Sequence, residues 1–114
     1  MADTYNIQID AGATYRLQVS HVDDNDVAIN LTGYTARMHV RETVTSASTV
    51  IALTSSSGIT ITPSTGTLDI VIAKTVTKDL VGPYVYDLEI ESGAGVVDRL
   101  LQGSVTVNPE VTRE

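Results

Sequence analysis

The sequence contains no cysteine, no tryptophan and no phenylalanine. Without cysteine there is no disulfide framework and no thiolate-ligated metal, a composition suited to assembly in a reducing cytoplasm. Basic residues are also few: seven Lys and Arg face 14 Asp and Glu, for a formal charge of −7. A nucleic-acid binder gathers Lys and Arg on one face to displace counterions, so nucleic acid is not expected as a direct partner. No apolar run approaches the roughly 20 residues that span a bilayer, and no membrane contact is expected. Met1-Ala2-Asp3 has neither the basic start nor the apolar stretch of an export signal. At 114 residues the chain reads as one domain over residues 1–110, large enough for one core without staples, with residues 111–114 as a C-terminal tail.

What the chain does have is Thr, Val and an alternating pattern, which favour pleated, half-buried surfaces. The clearest segment runs from Pro83 to Val107. Tyr84, Tyr86, Leu88 and Ile90 alternate with Val85, Asp87, Glu89 and Glu91, so one face is apolar and the other mostly acidic. Gly93 and Gly95 offer the positive φ angles of a tight reversal, and a second β-rich run returns. In that last strand Leu101, Val105 and Val107 are expected to face the core, Leu100 to matter less, and Gly103 to leave room for a neighbour or a bulge.

Further strands follow from the same period. Tyr5, Ile7 and Ile9 alternate with polar residues, as do Tyr15, Leu17 and Val19, and Tyr34, Ala36, Met38 and Val40. Val50 to Leu53, Ile59 to Ile61, and Leu68 to Ile72 add short strands, while Val27 to Leu31 has a weaker pattern. Asp23-Asp24-Asn25-Asp26 is a turn of side chains that bond their own backbone, and Glu42 to Thr49 a polar loop. Residues 74–80 are the one place for a short helical turn. Turn signals every 8–12 residues or so point to an all-β, immunoglobulin-like antiparallel sandwich of seven or eight strands, with a jelly roll or Greek-key barrel as the alternative. The tyrosine corner and the Cys and Trp marks of antibody domains are not recognisable.

No residue is assigned as catalytic, cofactor-binding or metal-ligating, and no cofactor is expected. His21 and His39 lack any partner at metal-ligand spacing. The Asp23–Asp26 cluster lacks the glycine and distant Glu of a calcium loop, Gly93-Ala94-Gly95 lacks the setting of a dinucleotide site, and no serine sits in a nucleophile elbow. Asp87, Glu89 and Glu91 read better as partners of Arg37, His39 and Arg41, the outward row of another strand, than as catalytic carboxylates.

Three segments carry a resemblance: Asn30-Leu31-Thr32-Gly33-Tyr34-Thr35-Ala36-Arg37-Met38, then Tyr86-Asp87-Leu88-Glu89-Ile90, then Arg99-Leu100-Leu101-Gln102-Gly103-Ser104-Val105-Thr106-Val107-Asn108-Pro109-Glu110-Val111-Thr112. In that order they resemble small structural proteins of tailed bacteriophages, in particular the immunoglobulin-like N-terminal domain of phage baseplate upper proteins. The resemblance implies a non-enzymatic virion protein, assembled in the host bacterial cytoplasm. It would act as an adaptor, collar or decoration subunit that docks to copies of itself and to other tail, neck or capsid proteins. The alternative is a carbohydrate-binding or adhesin-type module with tyrosines as stacking platforms, although Tyr5, Tyr15, Tyr34 and Tyr86 all fit inward strand positions.

Overall fold

A computed structural model describes residues 3–109; the tail assigned to residues 111–114 lies outside them. The strands are β1 (Asp3–Thr4), β2 (Ile7–Asp10), β3 (Tyr15–Ser20), β4 (Thr35–Arg41), β5 (Ile51–Thr54), β6 (Ile59–Thr62), β7 (Thr67–Ile72), β8 (Tyr84–Glu91) and β9 (Val97–Asn108). They form two sheets. One has the order β1-β9-β8-β4-β5, with β2 also on β9, and the other the order β3-β7-β6. This is the immunoglobulin-like arrangement, in which the second, fifth and sixth principal strands face the sheet built on the last two and the third. The chain is an all-β sandwich.

The expected antiparallel pairing needs one correction. β1 and β2 run parallel to β9, with Asp3 opposite Leu101 and Ile7 opposite Val105. They are two halves of one N-terminal segment interrupted at Tyr5-Asn6, which then crosses to the other sheet through Ala11 to Thr14. The segment runs in the direction of β9 because its Asp10 end lies beside Asn108, the end from which the chain crosses to β3.

Period-two alternation fills the space between the sheets. Ala36, Met38 and Val40 of β4, Leu68, Ile70 and Ile72 of β7, and Tyr86, Leu88 and Ile90 of β8 are all buried, with Ile7 and Ile9 of β2 beside them. Each large aliphatic side chain so placed contributes about 1.5–3 kcal/mol relative to exposure. Tyr5 departs from the inward expectation: it is 47% exposed, because the strand breaks at that residue.

The helical turn expected over residues 74–80 is α1 (Lys74–Thr77), but it is not alone: Pro63–Thr65 forms a 3-10 turn, with Pro63 fixing φ at its first position and Gly66 closing it at a φ of 63°. Thr77 is fully buried, and its hydroxyl stands 2.8 Å from the Ala13 carbonyl while accepting from the Gly12 N–H at 3.2 Å. That one side chain ties the β7–β8 crossover to the β2–β3 crossover. At the start of β8 the Tyr84 hydroxyl accepts from the Val81 N–H at 3.1 Å. Antibody-type sandwiches carry a tyrosine bonded back upstream at this corner, so a related mark is present where none is recognisable in the sequence.

Strict alternation fails in β9. Leu88 faces Leu101 but Glu89 faces Arg99, so Leu100 is the extra residue of a bulge, and both Leu100 and Leu101 pack against the core. The expectation that Leu100 matters less is therefore corrected. Val105 is fully buried and Val107 packs at the core margin. At the hairpin tip Gly95 alone has a positive φ, of 86°, and its N–H donates to the Ser92 carbonyl at 2.9 Å; Gly93 is not strained.

Candidate functional site

The outer face of β4, β8 and β9 carries the densest array of charge in the described residues. The antiparallel register sets Arg37 opposite Glu89 and His39 opposite Asp87, and Glu89 opposite Arg99. The Arg37 Nε donates to Glu89 Oε1 at 3.1 Å and its Nη1 to Glu91 Oε1 at 3.1 Å. Arg99 approaches from the other side, with Nε 3.5 Å from Asp87 Oδ2 and Nη2 3.8 Å from Glu89 Oε2. The hydrogen bond to Glu91 does most to hold the Arg37 guanidinium in its charged form, against partial desolvation, and Glu89 adds to it. These side chains stay in contact with water, so each pair is worth at most about 0.2–1 kcal/mol.

The sequence-based pairing thus holds for Arg37 but not for Arg41. Arg41 stands opposite Val85 and turns to the loop after β4, its Nη1 donating to the Ser46 carbonyl at 2.8 Å and its Nη2 lying 3.4 Å from His39 Nδ1. Arg99 is the member of the charged ladder that sequence reasoning misses. Counting back by twos from Val105 puts it on the inner face, and only the bulge at Leu100 turns it outward.

A shallow basin of about 500 Å³ lies over this ladder, lined by Thr4, His39, Arg41, Val44, Val85 and Gln102 together with the ion pairs. The polar loop expected over Glu42–Thr49 forms one wall. It contains no regular structure, is fixed by Arg41, and lifts Val44 into solvent at 83% exposure. Each carboxylate over the basin faces a guanidinium, so the ladder presents a fixed pattern of donors and acceptors to whatever lies on it.

The remaining candidates fall elsewhere. Asp23 Oδ1 accepts from the Asn25 and Val27 N–H groups at 2.8 and 3.0 Å, the self-bonded turn expected of Asp23-Asp24-Asn25-Asp26. His21 follows β3 and is half-buried, far from His39 in the fold's other sheet. Among the described residues no three His, Cys, Asp or Glu side chains gather as a metal-binding group. Tyr86 is buried and Tyr15, Tyr34 and Tyr84 pack at the margin of the core. Burial pushes the phenol of Tyr15 up to about 12, and it raises that of Tyr86 as well.

No family model matches the chain and no curated protein does. Among solved structures it is similar to extracellular domains 3–5 of Drosophila OTK, at 13% identity and a TM-score of 0.42, covering 94% of this chain and 33% of that one.

Proposed function

We propose that this chain is a non-enzymatic virion structural protein of a tailed bacteriophage, an adaptor, collar or decoration subunit of the tail, baseplate or neck. Its work is docking to copies of itself and to other tail, neck or capsid proteins, after assembly in the host cytoplasm. The observation that carries this reading is where the three phage-like segments fall. The Leu31-Thr32-Gly33 turn leads into β4, Tyr86-Asp87-Leu88 lies in β8 and Leu101-Gln102-Gly103 in β9, and these three strands are neighbours in one sheet.

The turn itself is closed by its own hydrogen bonds. Asn30 Oδ1 accepts from the Thr32 N–H at 2.8 Å, Tyr34 N–H donates to the Leu31 carbonyl at 3.0 Å, and Gly33 takes a φ of 82°, while Leu31 anchors the loop with no exposed surface. The segments together frame the charged outer face and its basin, a rigid sheet with an exposed loop held beside it by Arg41, which suits recognition of a protein surface. Mass spectrometry of purified virions tests the reading. Peptides of this chain in fixed stoichiometry with tail or neck proteins are expected, and their absence from every particle overturns it.

A further inference from the structure

We propose that β3 is a docking edge at which a second copy of this chain pairs its own β3, antiparallel and about a two-fold axis at Gln18. The proposal deepens the docking reading above and rests on it. In immunoglobulin-like sandwiches the first strand can lie beside the second and cover its edge. Here the first strand sits on β9 instead, and β3 is the outermost strand of a sheet only three strands wide.

Two observations show that the edge is open. The inward residues Tyr15, Leu17 and Val19 are only half-buried, whereas the central inward residues of β2, β4, β7 and β8 are buried. The His21 N–H donates toward the β7 side, to the Gly66 carbonyl at 2.8 Å. Antiparallel bonding alternates, so Tyr15, Leu17 and Val19 also bond toward β7, and the backbone groups of Arg16, Gln18 and Ser20 point outward. No bond from these three to a loop occurs among the described residues.

A second copy fits this edge because the strand is complementary to itself. The two-fold at Gln18 sets Arg16 against Ser20 of the second copy and Gln18 against Gln18 of the second copy, making about six backbone hydrogen bonds. The one charge on the edge meets a neutral hydroxyl, so no like charges are opposed. On the inner face Leu17 meets Val19 of the second copy, covering the apolar flank that each molecule leaves half-exposed. The contact is isologous and closes at two. It is a small interface, so its affinity is weak on its own, and the −7 charge of each copy makes it tighter as salt rises.

Sedimentation over roughly 10 µM to 1 mM tests the pairing with three chains: wild type, Gln18→Pro, and a chain lacking residues 110–114. The wild type is expected to dimerise with concentration. Gln18→Pro should weaken the dimer at least about tenfold with only a small fall in the thermal midpoint, because the lost N–H is the outward one, proline is tolerated on an edge, and the Gln18–Asp69 side-chain bond that goes with it is exposed. Gln18→Cys, in a chain with no other cysteine, should give an oxidised covalent dimer, since directly opposed strand residues lie within disulfide reach. A wild type that stays monomeric throughout, a dimer indifferent to Gln18→Pro, or a monomer that dimerises only when residues 110–114 are removed each overturns the proposal. The virion measurement is separate, so failure here leaves the docking reading to stand or fall on particle composition.

Discussion

The hydroxyl of Tyr86 donates a 2.6 Å hydrogen bond to the backbone carbonyl of Tyr5, joining residues 81 positions apart. It holds the break between β1 and β2 directly over Gly103, the residue opposite Tyr86 on β9. A Cβ at Gly103 would stand 2.5 Å from the Tyr5 carbonyl oxygen and 2.9 Å from Asn6 Oδ1. The room that the glycine leaves is filled by the backbone of the N-terminal segment.

Gly103→Ala should therefore lift that segment from the sheet, at about 1–3 kcal/mol, whereas Tyr86→Phe should cost about 0.5–1.5 kcal/mol by loss of the one bond. Hydrogen exchange distinguishes them: the alanine variant should lose protection over Ile7 to Asp10 well before global unfolding. Unchanged protection there would show that the segment does not rest on Gly103.

Removing the ion pairs should reveal a coupling between Arg37 and Glu89 and none between Arg37 and Asp87, since the Asp87 carboxylate pairs with the Arg99 guanidinium instead. A cycle of alanine substitutions read by urea unfolding should give about 0.2–1 kcal/mol for the first pair, shrinking in high salt. Equal coupling in both cycles would contradict the register.

The bulge makes Leu100 and Leu101 near equivalents. Each is partly buried, so truncation to alanine should cost less than the roughly 2–5 kcal/mol of a fully buried leucine, with the two thermal midpoints falling by similar amounts. A large loss at Leu101 with none at Leu100 would restore strict alternation.

Alkaline pH should destabilise the fold. The Tyr15 phenol sits at about 12 because burial favours its neutral form, and Tyr86 is raised by the same cause. An unfolded tyrosine releases its proton near pH 10 or so. The native state thus binds more protons above that value, and stability, fully present below it, falls as pH rises toward 12. Ultraviolet titration should show the Tyr15 and Tyr86 phenols ionising above the ordinary tyrosine range; ionisation of both within that range, in a folded chain, would contradict the burial.

The inward faces of β4, β7 and β8 are legible in the sequence because each lies inside a sheet, where every second side chain must meet the opposite layer. The Arg37–Glu89 contact is legible for the same reason, since opposite charges on two regular outer faces point to adjacent strands. Elsewhere local pattern is outweighed by longer-range packing. The parallel placement of β2 depends on which sheet the chain crosses to after Asp10, and nothing in Tyr5 to Ile9 encodes that. One inserted residue at Leu100 reverses the side on which Arg99 emerges, which hides half of the charged ladder from any count by twos.

Parallel pairing of β2 with β9, from Ile7 opposite Val105 to Asp10 opposite Asn108, has a mechanical consequence. Tension that pulls the N-terminal end of β2 away from the C-terminal end of β9 acts along both strands at once. The slanted bonds between parallel strands then carry the force together, in shear, instead of opening one after another as in a peeled hairpin. The domain should resist extension along this line until the whole N-terminal strand slides free. Single-molecule pulling through these two ends should show one high-force event, and deleting residues 1–6, which removes β1 and the Tyr5 carbonyl, should lower it.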